Sequence, residues 1–349
     1  MLKLYTCFKQ IEGVNREYLI DILKPFTKGG AERLAYGDFV NRITFVDKPE
    51  EADIGVLPLA TNYYMAGGRN LANRFVERCK KAGKNVLCFS FGDFAMRLWR
   101  DDIIHLQASG YQSSRLVNQH AQPVFIRDPI HEHFGDQMTI RNHSEKAFVG
   151  FCGHCVCSPL KACKEIAQIG YRNGCRFLGL TLEEPQPMYP PTLRRAKALN
   201  YLEKNDSVHS HFIRREGYRA GVSSDEDRAR TTREFFENVK NTEYTVCMRG
   251  GGNFSVRLYE TLAMGRIPVF INTDCILPFD QWIPWKEHVV WVEDRELPYI
   301  GEKVANFHSE LDSASFEDLQ RKNRRLWEEW LSFAGFHDKL LEHAESIIL

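Results

Sequence analysis

Tyr244 to Phe279 reads YTVCMRGGGNFSVRLYETLAMGRIPVFINTDCILPF, and this stretch decides the fold. The apolar run Thr245 to Met248 predicts a buried strand. Arg249 and the glycines Gly250, Gly251 and Gly252 follow it. Asn253 is a good N-cap residue, and Phe254, Leu258 and Leu262 then recur every four residues, which predicts a helix. Gly265 is placed to stop that helix. Pro268 opens a second short run, Val269 to Ile271, and proline is tolerated where a strand begins. Strand, glycine turn, helix and strand in so short a span make a βαβ unit with two parallel strands.

The chemistry of that unit is that of an anion site. A helix N-terminus presents unpaired N–H groups and partial positive charge, and so holds phosphates. Glycines let the backbone approach such a ligand closely. Arg249 at the strand end and Arg257 just inside the helix can both fork onto phosphate oxygens. Glu260 lies three residues beyond Arg257, on nearly the same helix face, where it can accept from ribose hydroxyls. The competing reading is a surface Arg257–Glu260 ion pair beside a plain βα turn.

Outward from this unit, the same alternation recurs. Upstream, Leu2 to Phe8, Phe39 to Val46, Ala52 to Leu59 and Asn85 to Phe91 read as strands, and Ile103 to Gln107 and Pro123 to Ile126 as further ones. Helical stripes fall at Tyr18 to Leu23 and Asn70 to Ala82. No apolar period survives from Gly135 to Lys146, which predicts a domain boundary there. A second series follows, with strands at Ala147 to Phe151, Arg176 to Leu180, Val208 to Ile213 and Val289 to Val292. Its helices run from Ser158 toward Tyr171, Leu193 to Leu202, and Ser224 to Val239. Ser315 with Asp318 suggests a capping box opening a helical tail. The expectation is an α/β protein with largely parallel sheets: a domain over 1–140, a second over 147–312, and C-terminal helices over 313–349 that return to the first.

Length and composition agree with two domains. The chain has 349 residues, 43% of them hydrophobic and 26% charged, with a formal net charge of zero. Nothing marks a general nucleic-acid binder or a polybasic membrane protein. The N-terminal sequence lacks a signal-peptide pattern, and no run approaches the length of a membrane span, so the ten cysteines are expected to be reduced and the location cytoplasmic.

Three other motifs fall away. Asp225-Glu226-Asp227 resembles the Asp-X-Asp metal signature of sugar transferases, but Ser224 and Asp227 form a capping box at a helix start, where acids suit the dipole. Cys152, Cys155, Cys157 and Cys163 lie near His154, yet no second C-x-x-C stands at a zinc-finger distance. No G-x-S-x-G elbow, H-E-x-x-H or P-loop is present, and the three glycines are not G-x-G-x-x-G.

The central stretch resembles the signature of the exostosin family, glycosyltransferase family 47. Cys247, Arg249, Gly250, Ser255, Arg257, Glu260, Ile267, Pro268, Val269, Leu277, Pro278 and Phe279 stand in its register. EEADIGVLPL at Glu50 to Leu59 is similar to an upstream strand of the family, and Phe148 to Gly153 to the opening of its second domain. The resemblance implies a GT-B fold, two Rossmann-like domains facing across a cleft. It implies transfer of a sugar from a nucleotide donor, usually a uridine diphosphate sugar, to a glycan hydroxyl with inversion. The N-terminal domain would take the acceptor and the C-terminal domain the donor. Arg249 and Arg257 would contact the diphosphate with the Gly250–Asn253 amides, Ser255 would add a hydrogen bond, and Glu260 would hold the ribose.

A transferase working without a metal must meet the leaving-group charge with arginines and helix N–H groups. Arg214 and Arg219, at another strand end, are candidates to join them. No cofactor is expected, the nucleotide sugar being a substrate, and a divalent metal is not expected to be essential. Inversion needs a general base, expected on an N-terminal-domain loop; Asp93 is the choice, with Asp128 and His131 as rivals. Eukaryotic members of the family usually carry a membrane anchor and stem, which this sequence lacks, so a bacterial or viral source is expected. The alternatives are another GT-B enzyme, such as a GDP-fucose-dependent fucosyltransferase or a nucleotide-sugar epimerase, and a non-catalytic sugar- or nucleotide-binding protein.

Overall fold

Short apolar runs alternate with amphipathic ones, and the runs become strands of two all-parallel sheets. The computed structural model describes residues 1–11, 17–27, 36–217, 221 and 224–348. In the first sheet β1 (Leu2–Tyr5), β2 (Ile43–Val46), β3 (Ile54–Val56), β4 (Val86–Phe89), β5 (Ile104–Gln107) and β6 (Gln119–Ala121) lie in the order β2-β1-β3-β4-β5-β6. Helix α1 (Arg69–Lys81) connects β3 to β4 and buries Ala72, Phe75, Val76 and Cys79, an i, i+3, i+4, i+7 stripe. Two expectations fail here. The Tyr18–Leu23 stripe gives a 3₁₀ segment, Asp21–Thr27, with Pro25 inside it. The last strand is Gln119–Ala121 instead of Pro123 to Ile126, because Pro123 has no N–H for a ladder.

The second sheet carries β7 (Ala147–His154), β8 (Val208–Arg215), β9 (Tyr244–Cys247), β10 (Ile267–Asn272) and β11 (Val290–Glu293), in the order β11-β10-β9-β7-β8. Its helices are α2 (Pro129–Phe134), α3 (Pro159–Phe177), α4 (Pro191–Glu203), α5 (Asp225–Asn241), α6 (Val256–Ala263), α7 (Ile300–Ser309) and α8 (Ser313–Leu326). The expected architecture, α/β with two parallel sheets, is what the chain builds. The central βαβ unit is β9–α6–β10, with Ile267 to Phe270 in register with Tyr244 to Cys247. Leu258, Tyr259, Leu262 and Ala263 bury one face of α6; each large side chain contributes about 1.5–3 kcal/mol through burial. Gly265, at φ 63°, ends the helix as expected.

Arg176 to Leu180 forms no strand. Helix α3 continues through Gly170 and Gly174 to Phe177, and Gly179 at φ 71° closes it, with Leu180 N donating to Cys175 O at 2.9 Å and Gly179 N to Arg176 O at 3.0 Å. The tail helix is capped by Asp312, whose carboxylate accepts from Ser315 N at 2.7 Å, so Ser315 is inside the helix and not its cap.

Two compact units result: 1–125 with 276–279 and 328–349, and 126–275 with 280–327. The polar segment before β7 therefore goes with the second sheet. Buried Glu243 accepts from Ser144 N at 2.9 Å and Phe148 N at 2.8 Å. Fully buried Arg266 donates to Thr139 O and Lys240 O, both at 2.8 Å. Such tertiary bonds leave no hydropathy signal. Helix α8 stays with this unit, while α9 (Phe333–Glu342) joins the first, where His337 stacks on Phe39 at 4.8 Å. Among the described residues no helix is long and apolar enough to cross a membrane.

Candidate functional site

In the second sheet the strand order reverses between β7 and β9. Open parallel sheets bind ligands in the crevice at the carboxyl ends of the strands flanking such a reversal. The residues at that crevice come from four elements: the end of β7, the start of α4, the turn after β9 and the start of α6.

Arg257 is the second residue of α6. Its Nη2 donates to Cys152 O on β7 at 3.1 Å, and its guanidinium lies 4.6 Å from the Phe151 ring centroid and 5.6 Å from that of Phe235. Gly153 makes this approach possible: a Cβ there would sit 2.6 Å from Arg257 Nη2. The buried Arg257 Nε has no hydrogen-bond partner. Arg195 of α4 also approaches Phe151, 6.0 Å from the ring centroid. It donates to His154 O at 2.6 Å and Arg249 O at 2.9 Å, and so joins the ends of β7 and β9. Its Nε is also buried without a partner. Burial, then the nearby Arg257 charge, pulls its pKa down to about 10. Among the described residues neither Arg195 nor Arg257 is ion-paired. Two neighbouring cations without counter-ions, one of them buried, call for an anion.

Arg249 shapes the turn from inside. Only 3% exposed, it donates to Asn253 Oδ1 at 3.1 Å, Gly251 O at 3.1 Å and Gln186 Oε1 at 3.0 Å, under the Tyr189 ring. Asn253 is not the helix cap. Its amide is drawn inward by Arg249 and Thr273 (2.6 Å) and donates to Asp274 O at 3.1 Å. The N-cap position falls to Ser255, which makes no side-chain capping bond. None of Gly250, Gly251 and Gly252 has a positive φ, so the turn does not require glycine for its backbone angles; a Cβ on Gly250 would meet only open space. Glu260 is half-buried one turn into α6.

The other candidates lie elsewhere. Arg214, one residue before the end of β8, has Nη2 on Glu203 at 2.6 Å, so its charge is committed. Arg219 lies outside the described residues. Asp93 is exposed in the first unit, on the loop after β4. Asp128 belongs to the second unit and is spoken for: it caps α2 and takes a two-pronged fork from Arg324 at 2.9 and 2.5 Å. Burial would raise its carboxyl, but Arg324 outweighs that and holds it below the usual range. Exposed His131 is paired with Asp136 at 2.6 Å, which pushes its pKa up. Asp225–Asp227 open α5 behind the Ser224 cap. Burial pushes the Cys152 thiol to about 11 and Cys247 to about 12, so neither serves as a thiolate nucleophile at neutral pH.

Sequence reasoning missed Arg195, Gly153 and Gln186. Arg195 left a signal: with Thr192, Leu199 and Leu202 it occupies the buried stripe of α4, where an arginine is out of place unless it has a task.

Fold and crevice together define a Rossmann-like α/β unit with an arginine-lined site at its topological switch point. Residues 183–307 match the Exostosin GT47 domain, the family whose signature the central stretch resembles. It is 34% identical over 92 residues to a probable glucuronosyltransferase of Oryza sativa subsp. japonica, covering 26% of this chain and 20% of that protein. It is 35% identical over 66 residues to a probable beta-1,4-xylosyltransferase of Arabidopsis thaliana, covering 19% and 16%. The matched stretch thus spans a fifth or less of these relatives' length. Among solved structures, a glycosyltransferase from Rickettsia africae ESF-5 aligns over 99% of this chain and 98% of its own at 12% identity, with a TM-score of 0.41. The curated relatives named here are plant proteins and lend no support to a bacterial or viral source.

Proposed function

We propose that this chain is an inverting glycosyltransferase that moves a sugar from a uridine diphosphate sugar to a glycan hydroxyl. The observation that carries the reading is the pair Arg195 and Arg257, without counter-ions at the switch point beside the start of α6. Breaking the sugar–phosphate bond places negative charge on the departing diphosphate. Arg257 meets it with its spare donors, and the first-turn amides of α6 add their dipole. Arg195 holds both lips of the crevice and contributes charge from below. Arg249 and Asn253 keep the glycine turn open, the Ser255 hydroxyl, unused as a cap, serves the phosphate, and Glu260 takes the ribose. The base is assigned to Asp93, which among the described residues has no hydrogen-bond or ion-pair partner.

The relatives' names, glucuronosyl- and xylosyltransferase, make UDP-glucuronate and UDP-xylose the first donors to try. Metal independence and a cytosolic location belong to the same proposal. The test is a panel of nucleotide sugars in a thermal-shift assay, followed by turnover with the donors that bind. A donor at a hundred times its Kd adds about 2.7 kcal/mol of stability. No shift with any uridine nucleotide, or binding without transfer or donor hydrolysis, defeats the reading.

A further inference from the structure

Helix α3 is packed inside out. Of its residues Pro159–Phe177 only Ala162 is buried. The side facing the protomer is polar: Glu165 accepts from Thr192 N at 3.3 Å, Arg172 pairs with Glu183 at 2.8 Å, and Asn173 exchanges two 2.8 Å bonds with Gln186. The side facing solvent is apolar. Leu160 is 85% exposed, Tyr171 75%, Phe177 91% and Leu178 70%. Of the large apolar side chains exposed among the described residues, most fall between Leu160 and Met188. An amphipathic helix ordinarily turns this stripe to a core.

We propose that the occupant of this face is the same helix of a second copy of the chain, packed antiparallel across a two-fold axis. The first argument is self-complementarity. Counting inward from both ends to the midpoint between Gln168 and Ile169 matches Leu160 with Phe177, Cys163 with Gly174, Ile166 with Tyr171, and Ala167 with Gly170. From the ends inward the pairs alternate, large with large (Leu160–Phe177, Ile166–Tyr171) and small with small (Cys163–Gly174, Ala167–Gly170), the self-matching an isologous interface requires. All eight residues lie on one face about 140° wide at 3.6 residues per turn. The second argument is area. The exposed fractions of the large side chains between Leu160 and Met188 amount to roughly 750 Å² of apolar surface, close to the ~800 Å² per partner of a standard interface. Neighbouring small residues at the centre let the two backbones approach, and antiparallel helices align their dipoles favourably.

The test is solution mass by light scattering, with two variants. Gly170→Arg is tolerated by the protomer: a Cβ there meets only Met188 Cε, at 3.8 Å, and any residue other than proline suits a helix better than glycine. Gly174→Cys has open space and would face Cys163 of the second copy, a free exposed thiol. The expected results are twice the 40.5 kDa chain mass for the wild type, the single mass for Gly170→Arg with an unchanged circular dichroism spectrum and a Tm that no longer depends on protein concentration, and a diamide-driven crosslink in Gly174→Cys that disappears when Cys163→Ser is added. A wild type that stays at the single mass at the highest concentration reached overturns the proposal. So does a dimer indifferent to Gly170→Arg, or a crosslink that does not need Cys163.

Discussion

Replacing Gly153 by alanine adds one methyl group, and the structure says where it goes. The new Cβ would stand 2.6 Å from Arg257 Nη2, against the 3.4 Å at which ordinary contact begins, so the guanidinium must retreat by about 0.8 Å. Arg257 is the far end of a flexible side chain, so the contact itself yields cheaply, and the remaining cost is the backbone strain of a side chain at the Gly153 φ of 157°. What is lost is placement. The bond to Cys152 O stretches past hydrogen-bonding range, and the cation slides off the Phe151 face. A misplacement of about 1 Å can cost roughly 10²-fold in rate, or about 2.7 kcal/mol in the transition state. The assay is kcat/KM with the best donor, beside UDP binding by calorimetry and Tm by scanning. We expect kcat/KM to fall about 10²-fold, with Tm lowered by only a few degrees. The same substitution in an Arg257→Ala background should cost almost nothing further, because both act through one group. Full additivity in that double-mutant cycle would falsify the account, and so would near-normal turnover of Gly153→Ala.

Other outcomes are equally open to measurement. Arg257→Ala should lose about 10²–10³-fold in kcat while its thermal unfolding stays near that of the wild type; a fully active variant rules out its role at the diphosphate. Activity should persist in EDTA, and complete loss restored by manganese would bring the metal reading of Asp225–Asp227 back. Asp128→Asn should cost about 1.5–3 kcal/mol near neutral pH through the lost Arg324 fork. The Asp128 carboxyl is depressed in the folded state, so its contribution is present above the unfolded carboxylate pKa and lost as pH falls through the folded one. The Tm difference between wild type and Asp128→Asn should therefore shrink on acidification; a constant difference contradicts the ion pair. Asp93→Asn should abolish transfer while sparing UDP binding, and an unaffected rate would return the search for the base to other residues.

The sequence made the central βαβ unit legible because two local codes agreed there: a four-residue apolar repeat through Leu258 and Leu262, and Gly265 to stop it. The cap was misassigned because Asn253 is recruited by Arg249, Thr273 and Asp274, partners that only the folded chain brings within reach. Arg176 to Leu180 was misread for a related reason. Its apolar density suits a strand, but Gly179 and the Cys175 carbonyl close a helix there, and the apolar residues face water. Of the site, Arg257 could be found by its place at a helix start. Arg195 could not be found by motif, because its task depends on two carbonyls distant in sequence, that of His154 at the end of β7 and that of Arg249 in the turn after β9.

The chain leaves the second unit after Cys275, spends Ile276 to Phe279 in the first, and comes back at Asp280. Ile276, Leu277 and Phe279 are buried there, and Phe279 packs against Trp330 and Phe336. Neither unit can therefore be excised as one continuous fragment. The tether also begins one peptide bond beyond Thr273, Asp274 and Cys275, whose atoms steady Asn253 and through it Arg249. On the proposed reading, a residue inserted after Cys275 should slacken the turn that holds Arg249, making this plain-looking loop a handle for tuning donor affinity from outside the crevice.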